Sequence, residues 1–256
     1  MALSFGTKPG LVVYLTAGDP SLEATYSIAL AAIDNGADVL ELGVPFSDPL
    51  ADGPVIQRAS ERAVGRGVTL HDVLALSKRI REARPLTGIV LFSYLNPVVR
   101  MGLDAFCKAA KSNGADGVLL TDMIVEEAAD YLTHMRENNL APIFLAAPTS
   151  PDERLRAIAE HSQGFIYAIS RVGITGKQTS LESDAESLVR RLRQFTSKPI
   201  AVGFGISNAE HVAAVGQFAD AAIIGSAIVL LIEQSEPGIE AERVGEFVRD
   251  LRQPAT

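Results

Sequence analysis

Short apolar runs alternate with stretches in which apolar residues recur every three or four positions, and the alternation persists along the whole chain. The runs at 11–16, 38–44, 88–94, 117–121, 142–147, 164–169, 198–203 and 221–225 predict eight strands. The helical period covers 22–35, 70–83, 103–112, 125–138, 152–160, 185–195, 208–216 and 239–251. Near-continuous apolar strands fit a parallel sheet covered on both faces. With no Pro/Gly/Ser-rich linker, eight strand–helix alternations predict α/β class and one domain over 1–256, a single (β/α)8 TIM barrel.

A joint recurs in this pattern. Asn35-Gly-Ala-Asp-Val and Asn113-Gly-Ala-Asp-Gly each end a helix and begin a strand, and Phe218-Ala-Asp-Ala-Ala echoes them. The glycine suits the left-handed position after a helix.

Composition narrows the class. The chain has 256 residues, 47% of them hydrophobic and 21% charged, enough for a sizeable core. A net charge of −8 with no Lys/Arg run argues against nucleic-acid binding. The single cysteine, Cys107, excludes an internal disulfide and fits a reducing, cytoplasmic setting. No signal-like core opens the sequence and no apolar run reaches membrane-spanning length, so no membrane partner is expected.

The chemistry concentrates in Asp38-Val-Leu-Glu-Leu-Gly-Val-Pro-Phe-Ser-Asp-Pro-Leu-Ala-Asp-Gly-Pro54. Glu41 lies inside an apolar strand, where an ionised group is costly unless it has a task. A proline-stiffened loop then carries Asp48 and Asp52. Barrel active sites lie at the C-terminal strand ends. Polar residues there include Thr16, Asp19, Ser93, Tyr94, Asn96, Thr121, Asp122, Tyr167, Ser170 and Arg171. Lys8, Lys78, Lys108, Lys111, Lys177 and Lys198 avoid these ends, leaving a Schiff-base aldolase without a nucleophile. His71, His134, His161 and His211 fall in or beside helical segments, so no zinc cluster or other metal site is expected. Carboxylates and tyrosine remain. Gly203 and Gly205 after strand 7, and Gly225 and Ser226 after strand 8, form a candidate phosphate cradle opening a short helix. The stretch 170–180, with two glycines, is a candidate lid.

Each feature also has a structural reading. Glu41 could pair with a cation, and Asp52 could start the helix at Pro54. Asp48 could be structural or interfacial, Tyr167 a core residue, Asp122 the cap of the next helix, and the glycine loops close-packed turns.

Taken together, Tyr14-Leu-Thr-Ala-Gly-Asp-Pro20, Glu41 to Gln57, Phe92-Ser-Tyr-Leu-Asn-Pro97, Ser170-Arg-Val-Gly-Ile-Thr-Gly176 and Val202-Gly-Phe-Gly-Ile206 resemble the tryptophan synthase alpha chain family over nearly the whole length. The resemblance implies cleavage of indole-3-glycerol phosphate to indole and glyceraldehyde 3-phosphate without a cofactor. It also implies an α2β2 assembly with a pyridoxal-phosphate β chain that receives the indole. By resemblance Glu41 is the general acid/base, and Asp52 receives the indole N–H. Tyr14, Phe92, Tyr94, Leu119 and Phe204 form the ring wall, and Tyr167 positions the site. Gly176, Gly203, Gly205, Gly225 and Ser226 hold phosphate, and Thr175 meets Asp52 when the lid closes. Asp48, Pro49 and the Asn96–Met101 loop face the β chain.

Two departures stand out. Met123-Ile124 follow Asp122 where the family usually places a proline, and so little precedes strand 1 that the helix often found there is expected to be missing. Competing readings are a stand-alone indole-3-glycerol-phosphate lyase, a non-catalytic regulatory partner of the β chain, and another phosphate-binding barrel such as a sugar-phosphate isomerase. Glu41 and Asp52 together weigh against the regulatory reading, and the strand-2 loop against the isomerase.

Overall fold

The computed structural model describes residues 3–6, 9–169, 181–203 and 205–253. Its strands are β1 (Gly10–Thr16), β2 (Val39–Gly43), β3 (Gly88–Ser93), β4 (Gly117–Leu120), β5 (Ala141–Ile143), β6 (Leu145–Ala146), β7 (Ile166–Ile169), β8 (Ile200–Gly203) and β9 (Ala221–Ile224). All pair in parallel, in the order β5-β4-β3-β2-β1-β9-β8-β7-β6. The two ends of this order, β5 and β6, are consecutive pieces of the one strand read at 142–147, interrupted at Phe144. The sheet therefore curls back on a single run and forms the eight-stave barrel. Across the break, the Tyr167 N–H donates to the Phe144 carbonyl at 3.2 Å.

The helices are α1 (Leu22–Asp34), α2 (Pro54–Gly65), α3 (Leu70–Ala83), α4 (Leu95–Met101), α5 (Leu103–Ser112), α6 (Ala129–Glu137), α7 (Asp152–His161), α8 (Leu181–Leu192), α9 (Ala209–Gly216), α10 (Ser226–Glu233) and α11 (Glu240–Leu251). The segment read as one helix at 125–138 is a 3-10 turn, Val125–Glu127, followed by α6. The period did not reveal α2, α4 or α10 as full helices, although Pro54 and Ser226 were read as helix starts. Pro97 sits within the first turn of α4, where its missing N–H costs nothing.

Side-chain alternation sorts the core. Leu11, Val13, Leu40, Leu42, Ile89 and Leu91 point outward and pack under the helices. Val12, Val39, Val90, Leu119, Ala201 and Ile223 point inward and fill the lumen. Among the described residues no helix precedes β1. Leu3 and Phe5 join the lumen cluster and close the barrel floor, with Phe5 against Phe165 at a ring separation of 5.9 Å.

The repeated joint has a physical function at that same end. Gly36 and Gly114 take φ of 119° and 83°, the left-handed region expected after a helix. Asp38, Asp116 and Asp220 then accept N–H bonds from Leu11, Ile89 and Ile200 at 2.8, 2.9 and 2.8 Å. Each also pairs with an arginine: Arg252, Arg81 and Arg193 respectively. One device, used three times, pins adjacent strand starts. It leaves the C-terminal ends for chemistry.

Candidate active site

A cavity of about 680 Å³ opens at the C-terminal ends of the strands. Of the residues singled out from sequence, Tyr14, Asp52, Phe92, Thr121, Tyr167, Gly203, Gly205, Gly225 and Ser226 line it. Thr175, Gly176 and Phe204, with the candidate lid at 170–180, lie outside the described residues. Glu41, Tyr94 and Leu119 are absent from the wall. Leu119 packs deeper, among the lumen residues, because its place on β4 sets it a layer below the mouth.

Glu41 points inward between the outward-facing Leu40 and Leu42, in register with Tyr14 on β1 and Val90 on β3. It is completely buried, and neither carboxyl oxygen has a hydrogen-bond partner among the described residues. Among the described residues no cation pairs with it, so they give the structural reading of Glu41 no support. Desolvation raises its pKa to about 8, making the neutral acid the prevailing form at neutral pH. Tyr14 and Tyr167, on the cavity wall, sense its charge, which places the carboxyl just beneath that wall.

Asp52 faces the cavity directly. Its Oδ2 accepts from the Tyr94 hydroxyl at 2.9 Å, and that same hydroxyl accepts from the Ala51 N–H at 2.9 Å. Tyr94 is thus a bracket for the Asp52 loop rather than a wall residue, its ring held against Phe46 at 5.1 Å. Burial raises the Asp52 pKa to about 6, and the Tyr94 bond pulls the other way. Asp52 makes no cap: α2 begins at Gly53 without a side-chain cap bond. Asp122 also departs from expectation. Its Oδ1 accepts from Leu95 N–H at 2.7 Å, meeting the first residue of α4, two helices back in the chain, rather than the next helix.

Above Glu41, Tyr14 meets Phe92 edge-on at 5.1 Å, giving the cavity an aromatic side. Burial pushes the Tyr14, Tyr94 and Tyr167 hydroxyls up, so all three stay neutral donors. Two glycines are steric requirements of these rings. A Cβ on Gly43 would fall 2.2 Å from the Tyr14 hydroxyl, and one on Gly203 would fall 2.8 Å from that of Tyr167. Gly203 therefore serves the Tyr167 ring as well as the wall.

Next to Tyr14 the cavity meets a helix start. Gly225 precedes α10 with no side-chain cap, and Ser226 and Ala227 line the cavity there. Uncapped N–H groups at a helix N-terminus attract an anion. Sequence reading missed Val55, Ile56, Ala227 and Leu230 on the wall. Their apolar types read as helix core, and only their nearness in sequence to Asp52 and Gly225 hinted otherwise.

A separate surface lies beside the Asp52 loop. Two grooves of about 490 and 450 Å³ share Phe46, Ser47 and Val64, one taking in Asp48 and Pro49 and the other Asn96, Pro97, Arg100 and Met101. Leu50 and Val99, 83% and 56% exposed, give this face an apolar character. Lys198 stands before β8 at the other end of the barrel, donating to the carbonyls of Ala159, Glu160 and Ser162. No helix among the described residues is long and apolar enough to cross a membrane.

Fold and site define the class: a (β/α)8-barrel enzyme with buried carboxyl chemistry at the C-terminal strand ends. The family model described as "Tryptophan synthase alpha chain" matches residues 2–255. A tryptophan synthase alpha chain from Solibacter usitatus is 47% identical over 246 residues, spanning 96% of this chain and 92% of that one. The solved tryptophan synthase complex from Pyrococcus furiosus superposes with a TM-score of 0.87 at 37% identity, covering 95% and 98% of the two chains. The aminoacrylate-bound tryptophan synthase of M. tuberculosis gives 0.86 at 35% identity, covering 95% and 92%. The chain belongs to the tryptophan synthase alpha chain family, and is a lyase.

Proposed function

We propose that Glu41 and Asp52 carry out the family's reaction, cleavage of indole-3-glycerol phosphate to indole and glyceraldehyde 3-phosphate. The observation that carries this reading is the contrast between the two carboxyls: one buried, neutral and without a hydrogen-bond partner among the described residues, the other on the cavity wall with its pKa below neutrality.

That contrast divides the labour. Glu41, protonated at rest, delivers its proton to indole C3. C3 becomes tetrahedral and the ring an iminium cation across C2 and nitrogen, and Asp52, ionised above about pH 6, accepts the ring N–H and stabilises that charge. Glu41, now a carboxylate, takes the proton of the hydroxyl on the adjoining side-chain carbon. The O–H electron pair forms the aldehyde, the carbon–carbon bond breaks, and its electrons neutralise the ring. Glu41 ends protonated, ready for another cycle. Because the carboxyl sits beneath the wall, it must swing past Tyr14 into the cavity when substrate fills it. Tyr14 and Phe92 hold the ring, and Gly205, Gly225 and Ser226 hold the phosphate through backbone N–H groups. Phosphate binding far from the breaking bond supplies positioning.

The exposed apolar face around Phe46, Leu50 and Val99 is where a β chain docks in this reading, in an α2β2 assembly of the cytoplasm. It adjoins the Asp52 loop, so docking and chemistry are neighbours. Indole release by the purified chain, alone and with a cognate β chain, tests the proposal. Slow release accelerated by the β chain is expected; no release under either condition overturns it.

A further inference from the structure

Four charged groups outside the cavity form one continuous chain. Asp19, in the turn after β1, is only 4% exposed, and its two oxygens accept from Arg62 Nε and Nη2 at 2.8 and 2.7 Å. The remaining Arg62 nitrogen, Nη1, donates to Glu233 Oε1 at 2.7 Å. Glu233 is held in turn by Arg58, through Nε at 2.9 Å and Nη2 at 2.7 Å. Arg58 and Arg62 belong to α2, and Glu233 ends α10.

Both helices begin at the cavity. Asp52 immediately precedes Gly53, the N-cap of α2, and Gly225 is the N-cap of α10. Neither start has a side-chain cap, and the fully buried residues of α2 are the small Ala59, Ser60 and Ala63. Near the starts Val55 and Ile56 of α2 pack part-buried in one cluster with Val229 of α10. Apolar contacts of this kind are not directional. The bidentate Arg62–Asp19 pair and the Arg62–Glu233 bond add a directional lock to that packing.

We propose that Arg62 is a positioning residue for the reaction, fixing α2 against α10 through Asp19 and Glu233 and thereby setting the distance between Asp52 and the phosphate cradle. The inference rests on the assignment of those two ends to indole and phosphate. It has a specific consequence: a substrate that bridges both ends senses their separation, whereas a fragment that occupies one end does not. Bridging converts a second contact into an intramolecular one only when the spacing is right.

The test compares wild type with Arg62→Gln, Arg62→Lys and Glu233→Gln. Three quantities are measured for each at a temperature where the circular dichroism shows it folded: turnover of indole-3-glycerol phosphate, binding of glycerol phosphate alone, and binding of indole alone. Arg62→Gln is expected to lower kcat/KM by roughly tenfold to a hundredfold with both fragment affinities within about twofold of wild type. Arg62→Lys cannot reproduce the forked geometry and should recover little of the loss. Unchanged turnover, or fragment affinities that fall in step with it, overturns the proposal. Should Arg62→Gln not fold, Glu233→Gln, which leaves the Arg62–Asp19 pair in place, decides by the same comparison. Wild-type turnover separately tests the assigned reaction, since its absence would fail that reading whatever the variants bind.

Discussion

Glu41 and Asp52 are both carboxyls, yet their surroundings give them opposite working forms at neutral pH. If Glu41 must begin protonated and Asp52 ionised, kcat/KM is bell-shaped, with limbs near the values of about 6 and 8. A profile flat across that interval contradicts the division of labour. Glu41→Gln should abolish cleavage while glycerol phosphate still binds. It should also change stability in a pH-dependent way. A carboxyl whose folded pKa lies above its unfolded value binds more protons when folded, so wild type loses stability as pH rises from about 4.5 to 8. Glutamine has no charge to bury, and the melting-temperature advantage of the variant should grow over that interval and then level off. Removing the Tyr94 hydroxyl removes a bond that favours ionised Asp52, so Tyr94→Phe should move the lower limb of the profile upward. A downward or absent shift would show that the bracket does not tune Asp52.

Among the elements, α10 offers the cleanest test of the anion end. Gly225 has φ of −118°, which side chains tolerate, and an added Cβ meets Tyr14 and Ile56 only at ordinary distances of 3.6 Å and beyond. Gly225→Val should therefore fold, while its branched methyls crowd the N–H groups. We expect glycerol phosphate affinity, measured by calorimetry, to fall roughly tenfold or more. Unchanged affinity would move the phosphate elsewhere. The helices α2 and α10 also show why part of the wall was illegible in sequence. Val55, Ile56 and Leu230 have the residue types of any buried helix face, and only the placement of two helix starts across one opening makes them wall residues.

For the whole molecule, the barrel separates its two ends. The Asp–Arg pairs and the Leu3–Phe5 plug stabilise the floor, and the cavity and the apolar face share the other half. Leu50 is 83% exposed beside Asp52 and does not line the cavity. Leu50→Asp should leave indole release by the isolated chain unchanged and diminish its acceleration by a β chain. Equal acceleration in the variant would place the docking surface elsewhere. The eight staves and their boundaries were legible within one or two residues because each strand is a dense apolar run bounded by turn residues. Tyr94 was misplaced because residue type does not say which way a ring at a strand end turns; here Phe46 and Asp52 turn it from the wall into the loop.

By itself the sequence determined the barrel, the presence of the Glu41 carboxyl within an apolar strand and the glycines at the mouth, because period, residue type and the absence of Cβ atoms are local properties. Only the tertiary structure decided that Glu41 points inward with no hydrogen-bond partner among the described residues, that Asp122 accepts from the first residue of α4, and that Arg62 ties α2 to α10. These depend on groups far apart in the chain being brought within hydrogen-bond distance, or being kept out of it. Burial and pairing are properties of the assembled barrel, and they set the protonation state on which the chemistry depends.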